Sequence, residues 1–342
     1  MERVPHLLGT NGARSEPIDP RVERTWVRDG IRGEEISWDV GFGPRTLAWL
    51  LRPDHAATEL PGVLALHDHG DIKYYGKEKI ADGPDAAPAS ISAFRERFYG
   101  GVPFANELAR EGFAVLVPDV FMWGSRKFDA MSVANVGYRA EAAAPTDAAT
   151  YDRAARSHEE QVAKYCMLLG ISISELVARE DRLAALYLAS RPDVKSDGIG
   201  CIGLSAGGFR AGLLLGRCEE IRAAVVVGMM STLEALFDEH ISRHSWLICL
   251  PGASLANDWP RMVGGRAPAR LLVQYLLDDH LFPVAGMRAA NDLLTVTYAD
   301  SGVPSAYVAE FYPGPHRFDL EMQRSAFLAL NRWLPASDAR DE

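Results

Sequence analysis

GCIGLSAGG, residues 200–208, decides the fold, because it sets Ser205 between glycines in the pattern GxSxG. The apolar run 199–204 before the serine is typical of a buried strand, and residues 206–217 after it are typical of a helix. A serine on a sharp turn from strand to helix makes close backbone contacts, so small residues are needed two positions to either side. Such a turn also directs the amide of Ala206 and the positive end of the helix at one point. The segment therefore predicts an exposed, nucleophilic serine.

The rest of the chain alternates short apolar strands with helices, which is typical of the α/β class. This alternation predicts a mostly parallel central sheet of about eight strands with helices on both faces, entered through an antiparallel hairpin. Ser172, followed three residues later by Glu175, is a capping-box signature at the start of one helix. The predicted strands are 34–40, 46–51, 63–66, 113–117, 199–204, 223–227, 271–275 and 307–311, and the predicted helices are 103–110, 173–189, 206–217 and 323–333.

The sequence predicts a single domain, because it contains no feature that would divide it. No linker, charge block or repeat divides the 342 residues, so we expect one domain over 1–342, with 1–33 as an N-terminal extension. Two Gly/Pro/Ala-rich stretches, 71–101 and 127–155, each follow the carboxyl end of a strand. Open α/β sheets bind ligands at that edge, so we expect both stretches to cover a ligand site.

A serine at this position needs a general base, and the base needs a carboxylate on its other ring nitrogen. Where a nucleophile elbow is used, the chain order is serine, acid, histidine. His316, in the turn YPGPH after the last predicted strand, fits the base best. Asp279, after the preceding strand, is our predicted acid, but spacing alone does not separate it from Asp278. One of these two neighbours also suits a cap on the helix that follows.

The segment HDHGD, residues 67–71, supports two interpretations. HxHxD after a strand is the opening of a binuclear metal site, so His67, His69 and Asp71 are candidate ligands of a zinc-dependent hydrolase. Ile72 stands where that motif normally carries a further histidine, and no other histidine has ligand spacing, so we expect no metal. In the other interpretation the backbone amide of His69 completes an oxyanion hole opposite Ala206.

Four aromatic residues near predicted strand ends are candidates for stacking on a sugar or an apolar ring: Tyr74, Tyr75, Trp123 and Trp246. Packing in the core is the alternative for each of them. Three basic residues, Lys77, Lys79 and Arg126, are candidates for binding a carboxylate, with a surface position as the alternative.

Composition limits the classes of molecule that the protein is expected to bind. The formal charge of −10 comes from 46 acidic against 36 basic residues, so nucleic acid and anionic membranes would be repelled and a small-molecule substrate is favoured. The four cysteines have no metal-type spacing and predict reduced thiols. The N-terminus lacks the apolar core of a signal peptide, so we expect a cytoplasmic location. The sequence leaves the oligomeric state open, and a homo-oligomer is compatible with it.

Five stretches together resemble the acetyl xylan esterase and dienelactone hydrolase-like branch of the α/β-hydrolases, over about residues 36–334. They are LALHDHG (64–70), VLVPDVFMWGSR (115–126), GCIGLSAGG (200–208), LLVQYLLDDHLFP (271–283) and FYPGPHRFD (311–319). The resemblance implies a triad of Ser205, Asp279 and His316 and the hydrolysis of carboxylic esters without a cofactor. Dienelactone hydrolases proper use a cysteine as nucleophile, so Ser205 favours the esterase side.

The expected function is thus a serine esterase that acts on a short-acyl ester, a lactone or an acylated carbohydrate. Two further alternatives share the fold. An acyltransferase would use the same triad with another alcohol in place of water, and the sequence does not exclude it. A non-catalytic binding protein usually loses a triad member, and all three are present here.

Overall fold

The computed structural model describes residues 18–55, 59–134, 144–237, 239–253 and 258–335. Nine strands form one sheet in this part of the chain: β1 (Ile18–Arg28), β2 (Ile31–Asp39), β3 (Thr46–Pro53), β4 (Gly62–Leu66), β5 (Ala114–Pro118), β6 (Ile199–Leu204), β7 (Ile221–Val227), β8 (Arg270–Leu276) and β9 (Tyr307–Tyr312). The α-helices are α1 (Ala89–Phe98), α2 (Phe104–Arg110), α3 (Ala130–Ala134), α4 (Ala148–Leu168), α5 (Ile173–Ala189), α6 (Ala206–Arg217), α7 (Trp259–Gly264), α8 (Val284–Asp300) and α9 (Leu320–Trp333).

The strand order is β1-β2-β3-β5-β4-β6-β7-β8-β9. The first three strands are antiparallel to their neighbours, and β5, β4, β6, β7, β8 and β9 are mutually parallel. Because the parallel strands point the same way, the loops at their carboxyl ends meet at one edge of the sheet. The segments that follow β4, β6, β8 and β9 are those in which the sequence predicts functional residues.

Buried apolar side chains cover both faces of the sheet. Strands β4, β5 and β6 are buried at every position, as expected where helices cover a parallel sheet on both sides. Two large clusters of buried residues result: one contains Leu64 and Phe209, and the other contains Val63 and Phe327. Adjacent residues of β4 thus belong to opposite clusters, which is the alternation a strand imposes.

The predicted fold class is confirmed: the chain has a mostly parallel sheet with helices. Segments 173–189, 199–204 and 206–217 have the predicted bounds, and the antiparallel hairpin is formed by β2 and β3. The Ser172 side chain caps α5 by accepting a hydrogen bond from the Glu175 amide at 3.1 Å. The remaining predicted strands and helices lie within three residues of the observed bounds.

The segments that the sequence sets apart from the predicted sheet contain regular structure. Segment 1–33, predicted as an N-terminal extension, contains β1, an edge strand, and the sheet of the described residues has nine strands where about eight are predicted. The predicted cover 127–155 includes α3 and the first part of α4, while 135–143 lies outside the described residues. The other predicted cover, 71–101, contains α1.

Three of the four cysteines are buried, the fourth is partly buried, and all four are free thiols. Among the described residues, no single helix combines the length and apolar character of a membrane span. Helices α4 and α5 meet such a criterion only as a pair, and they are bent by 87° relative to each other.

Candidate active site

Ser205 lies at the turn between β6 and α6, in a backbone conformation that non-glycine residues rarely adopt. Its φ is 57° and its ψ is −122°. The turn brings the start of α6 against the sheet: a Cβ on Gly203 would lie 2.4 Å from the carbonyl carbon of Gly207, and one on Gly207 would lie 2.1 Å from the oxygen of Leu66. Any side chain at either glycine would collide with backbone. The GxSxG spacing therefore has a steric cause, and the strain at Ser205 holds a partly exposed hydroxyl at the carboxyl edge.

His316 and Asp279 form a tight pair at the same edge. The two residues follow β9 and β8, and His316 Nδ1 lies 2.5 Å from Asp279 Oδ2. The Asp279 side chain is fully buried, and its other oxygen accepts a hydrogen bond from the Leu281 amide at 2.9 Å. Its neighbour Asp278 is exposed and accepts from the Gly314 amide at 2.6 Å. The carboxylate that faces the imidazole is thus that of Asp279, and Asp278 braces the turn that carries His316.

The imidazole lies near the serine turn. The Ser205 amide donates to the carbonyl of Val227 at 2.8 Å, and a Cβ on the next residue, Gly228, would lie 3.2 Å from His316 Cε1. No hydrogen bond joins the Ser205 hydroxyl to His316 in the described structure. Hydrogen bonds of catalytic groups are commonly long without a bound substrate, and rotation about χ1 redirects a serine hydroxyl without moving the backbone.

Two backbone amides at the edge of the sheet that carries the serine have no acceptor among the described residues. Ala206 is the first residue of α6, so its N–H has no partner within the helix. The His69 amide, in the loop after β4, donates to no group within the described residues. Strand β4 pairs directly with β6, with Leu66 opposite Gly203, so this loop lies beside the serine turn. Two amides without protein acceptors at the edge that carries the Ser205 hydroxyl suit the stabilisation of a negative oxygen.

Comparison with known proteins agrees with this topology. No family model matches the chain. By sequence it is similar to the Bacillus subtilis (strain 168) protein named "Putative hydrolase YtaP", with 23% identity over 330 residues that make up 96% of each chain. By structure it is similar to a "putative acetyl xylan esterase" from Bacteroides fragilis NCTC 9343, with a TM-score of 0.62 and 17% identity over 87% of this chain and 70% of the other.

Two further esterases have similar structures. A glucuronoyl esterase from Solibacter usitatus aligns with a TM-score of 0.60 and 12% identity over 94% of this chain and 87% of its own. A protein named methylesterase BT1017 aligns with a TM-score of 0.58 and 14% identity, and this chain spans 60% of its length. The chain has the α/β-hydrolase fold. In this fold the serine turn, the two free amides and the Asp279–His316 pair occupy one edge of the sheet.

Buried cations hold the loop after β4 of the hydrolase fold. The fully buried ammonium of Lys79 donates to three carbonyls: a short bond to Asp68, one to His69 at 3.1 Å and one to Ile72 at 3.3 Å. Arg210 of α6 donates to the carbonyl of His67 at 2.9 Å. With these oxygens turned toward the cations, the His69 amide remains free of protein acceptors within the described residues.

Burial of Lys79 has a consequence for the pH dependence of stability. Desolvation lowers the pKa of this lysine from 10.5 to about 8. Between those values the unfolded chain binds a proton that the native protein has released, so the free energy of unfolding rises with pH across this window. Relative to Lys79→Met, we expect the wild-type protein to gain stability from pH 7 to pH 10, up to a limit of about 3 kcal/mol.

Urea unfolding of the two proteins at both pH values measures this difference. Lys164→Met is the matched control, since Lys164 is exposed and, among the described residues, its one ion pair is with Glu160 on the surface of α4. The control should show little pH-dependent difference from the wild type. A Lys79→Met difference that stays constant or shrinks with rising pH contradicts the expectation.

The side chains of HDHGD are engaged in protein contacts. His67 is buried, which holds its pKa well below the ordinary value, and its Nδ1 lies 3.0 Å from the carbonyl of Asp68. The Asp68 carboxylate accepts a hydrogen bond from Tyr99 at 2.7 Å. His69 Nδ1 accepts from the Asp71 amide at 3.1 Å, and its Nε2 faces Glu159 at 3.0 Å. No group of three or more metal-ligating side chains is found in the part of the chain that the structure describes.

The four aromatic candidates occupy different environments. Tyr74 and Tyr75 are partly exposed and contact each other edge to face, with ring centroids 5.0 Å apart. Trp246 is 41% exposed. Trp123 is 1% exposed and packs in the core beside His69, so it has no face available for a substrate ring. The structure does not support Trp123 as a stacking residue.

The basic candidates are also internal. The Lys77 ammonium pairs with Asp119 at 2.8 Å, and the Arg126 guanidinium pairs with Glu180 at 2.6 Å. Both cations are buried, and Lys79 is buried among carbonyls. A surface position is therefore wrong for all three residues, and the carboxylates that Lys77 and Arg126 bind belong to the protein itself. Asp119 and Glu180 lie 42 and 54 positions from Lys77 and Arg126, so no local sequence pattern indicates these two ion pairs.

Glu159 of α4 is a site residue that the sequence analysis missed. It is 5% exposed, lies four residues beyond the predicted cover 127–155, and contacts His69. One signal was present: an acidic residue on a helix that is otherwise buried along one face. Burial of a carboxylate requires a partner that compensates its charge, but this partner cannot be identified from the sequence.

Proposed function

We propose that this chain is a serine-dependent hydrolase of carboxylic esters that acts through an acyl-enzyme intermediate. The observation that carries the proposal is the 2.5 Å contact between Asp279 and His316, located at the same sheet edge as the strained turn at Ser205. A buried carboxylate on one imidazole nitrogen leaves the other nitrogen as a proton acceptor for a nearby hydroxyl. The names of the structural neighbours, which are esterases, support the same reaction class.

In the proposed mechanism the Ser205 oxygen attacks the ester carbonyl as its proton passes to His316 Nε2. The amides of Ala206 and His69 hold the oxyanion, and Asp279 fixes the tautomer of His316 and stabilises the imidazolium. His316 then gives its proton to the departing alcohol, which leaves an acyl group on Ser205. Water attacks this acyl group with His316 again as base, and the acid is released. The cycle moves only protons and an acyl group, so no cofactor is needed.

The proposed substrate is a small ester or an acylated carbohydrate. Tyr74, Tyr75 and Trp246 present partly exposed aromatic surface, which suits a sugar or an apolar ring. The names of two neighbours, an acetyl xylan esterase and a glucuronoyl esterase, agree with esters on carbohydrates. A panel of acetylated sugars, lactones and simple acyl esters would identify the preferred class.

Covalent labelling tests the proposed mechanism directly. A fluorophosphonate reacts with a serine that is activated by a general base, so we expect stoichiometric modification of Ser205, located by mass spectrometry of peptides. Hydrolysis of a chromogenic acetate ester should stop in proportion to labelling, and EDTA should leave the rate unchanged. Modification at another residue instead of Ser205 would overturn the assignment of the nucleophile. Loss of activity with EDTA and recovery with zinc would overturn the proposal in favour of a metal-dependent site.

A further inference from the structure

Glu159 lies between two segments of the candidate active site. One carboxylate oxygen, Oε2, faces the loop after β4: His69 Nε2 is 3.0 Å away, and Lys73 Nζ makes a short ion pair. The other oxygen, Oε1, accepts hydrogen bonds from Ser245 Oγ at 2.5 Å and from the Trp246 amide at 2.9 Å. A single side chain of α4 thus joins the loop that carries a free amide to the segment that carries an exposed tryptophan.

The contact fixes the orientation of His69. Its Nδ1 accepts from the Asp71 amide, so the ring proton resides on Nε2 and is donated to Glu159. The ring also packs edge to face on the buried Trp123, with centroids 5.3 Å apart. Held at both nitrogens and on one edge, the ring cannot turn without breaking a bond to the carboxylate. The backbone of His69 is restrained with it.

The charge environment favours an ionised Glu159. The hydrogen bond from His69 and the charge of Lys73 oppose the effect of burial and hold the pKa of Glu159 far below its usual range. The Lys73 ammonium is itself buried, with a side-chain exposure of 3%, so the two charges depend on each other. Groups of this kind seldom stabilise a fold more than apolar residues of the same size would, which suggests a role in specifying geometry.

We infer that Glu159 is a positioning residue, which sets the His69 amide for oxyanion binding by holding the His69 ring. This inference rests on the function proposed above, because oxyanion binding by the His69 amide is part of that mechanism. Glu159 itself does not touch the reacting atoms. A misplaced donor loses much of its ability to stabilise an oxyanion, because an amide does so only at hydrogen-bond distance. Loss of the Glu159 contact should therefore slow formation of the tetrahedral adduct.

Glu159→Gln is the informative change, because glutamine has nearly the same shape but one acceptor oxygen and one donor group. If its oxygen serves Ser245 and Trp246, its NH₂ group faces the N–H of His69, and two donors repel each other. Glu160→Gln is the matched control, since the adjacent Glu160 is exposed and has Lys164 as its one ion-pair partner in the described part of the chain. His69→Phe keeps an aromatic ring at position 69 and removes both ring hydrogen bonds, the one to Glu159 and the one from the Asp71 amide.

The rate constant for fluorophosphonate labelling of Ser205 is the decisive measurement, together with the final labelled fraction. For E159Q we expect complete labelling with a rate constant lowered at least about tenfold, and a similar fall in kcat with KM changed less than about threefold. A purely structural role would lower the labelled fraction and leave the rate constant unchanged. E160Q should match the wild type.

A wild-type rate constant in E159Q overturns the inference. If E159Q does not fold, H69F decides the matter: a slower rate supports the positioning role, and an unchanged rate overturns it. Failure of the wild-type protein itself to label at Ser205 would instead contradict the proposed function. The two failures are therefore distinguishable.

Discussion

Ser205→Ala is expected to lower kcat for a chromogenic acetate ester by about 10⁴-fold or more. Removal of the nucleophilic oxygen leaves only binding and oxyanion stabilisation, and in well-studied serine hydrolases the loss of the serine alone reaches about 10⁶-fold. The fold should remain intact, because alanine fits wherever the serine backbone is accommodated. Steady-state hydrolysis and thermal unfolding of the variant measure the two effects separately.

Ser190→Ala is the control for this experiment. Ser190 follows α5 and is exposed, and the one acceptor of its hydroxyl within the described residues is the carbonyl of Tyr187. Its replacement should change kcat by less than about twofold, as surface substitutions away from a site usually do. Retention of more than a tenth of wild-type turnover by Ser205→Ala would mean that the reaction does not pass through this hydroxyl.

The parts of the fold that the sequence predicted well are those whose pattern has a local physical cause. Strands β4 and β6 are buried on both faces, so each appears as an uninterrupted apolar run. The glycines at 203 and 207 are required because a Cβ at either position would lie only 2.4 or 2.1 Å from a backbone atom, which fixes the GxSxG spacing. The His316 turn was found because parallel strands bring their carboxyl ends together.

The parts that the sequence predicted poorly depend on long-range contacts. Strand β1 lies at the edge of the sheet with Val22 and Val27 exposed, so it lacks the apolar alternation of a half-buried strand. The contact between Glu159 and His69 joins residues that are ninety positions apart in the chain. Trp123 was a plausible stacking residue because aromatic character does not distinguish the core from a binding surface.

The structure distinguishes the two aspartates that the sequence leaves as alternatives for the acid beside His316. Asp278 and Asp279 are adjacent in the sequence, so spacing alone does not show which of them pairs with His316. Because successive residues point in different directions, only one of them can face His316. The structure turns Asp279 inward to the imidazole and Asp278 outward to the Gly314 amide. A pair of matched variants can therefore separate the two roles.

Asp279→Asn is expected to lower kcat by about 10³- to 10⁴-fold, as an amide in place of the carboxylate does in the catalytic triads of serine proteases. The physical reason lies in the Leu281 amide, which needs an acceptor on residue 279 and keeps the asparagine oxygen on its side. The NH₂ group then faces His316 Nδ1, so the ring proton moves to Nε2 and the imidazole cannot accept the serine proton. Asp278→Asn retains an acceptor for Gly314 and should lower kcat by less than about threefold. Comparison of kcat for the two variants checks the assignment, and an equal or larger loss in Asp278→Asn would transfer the role of the acid to Asp278.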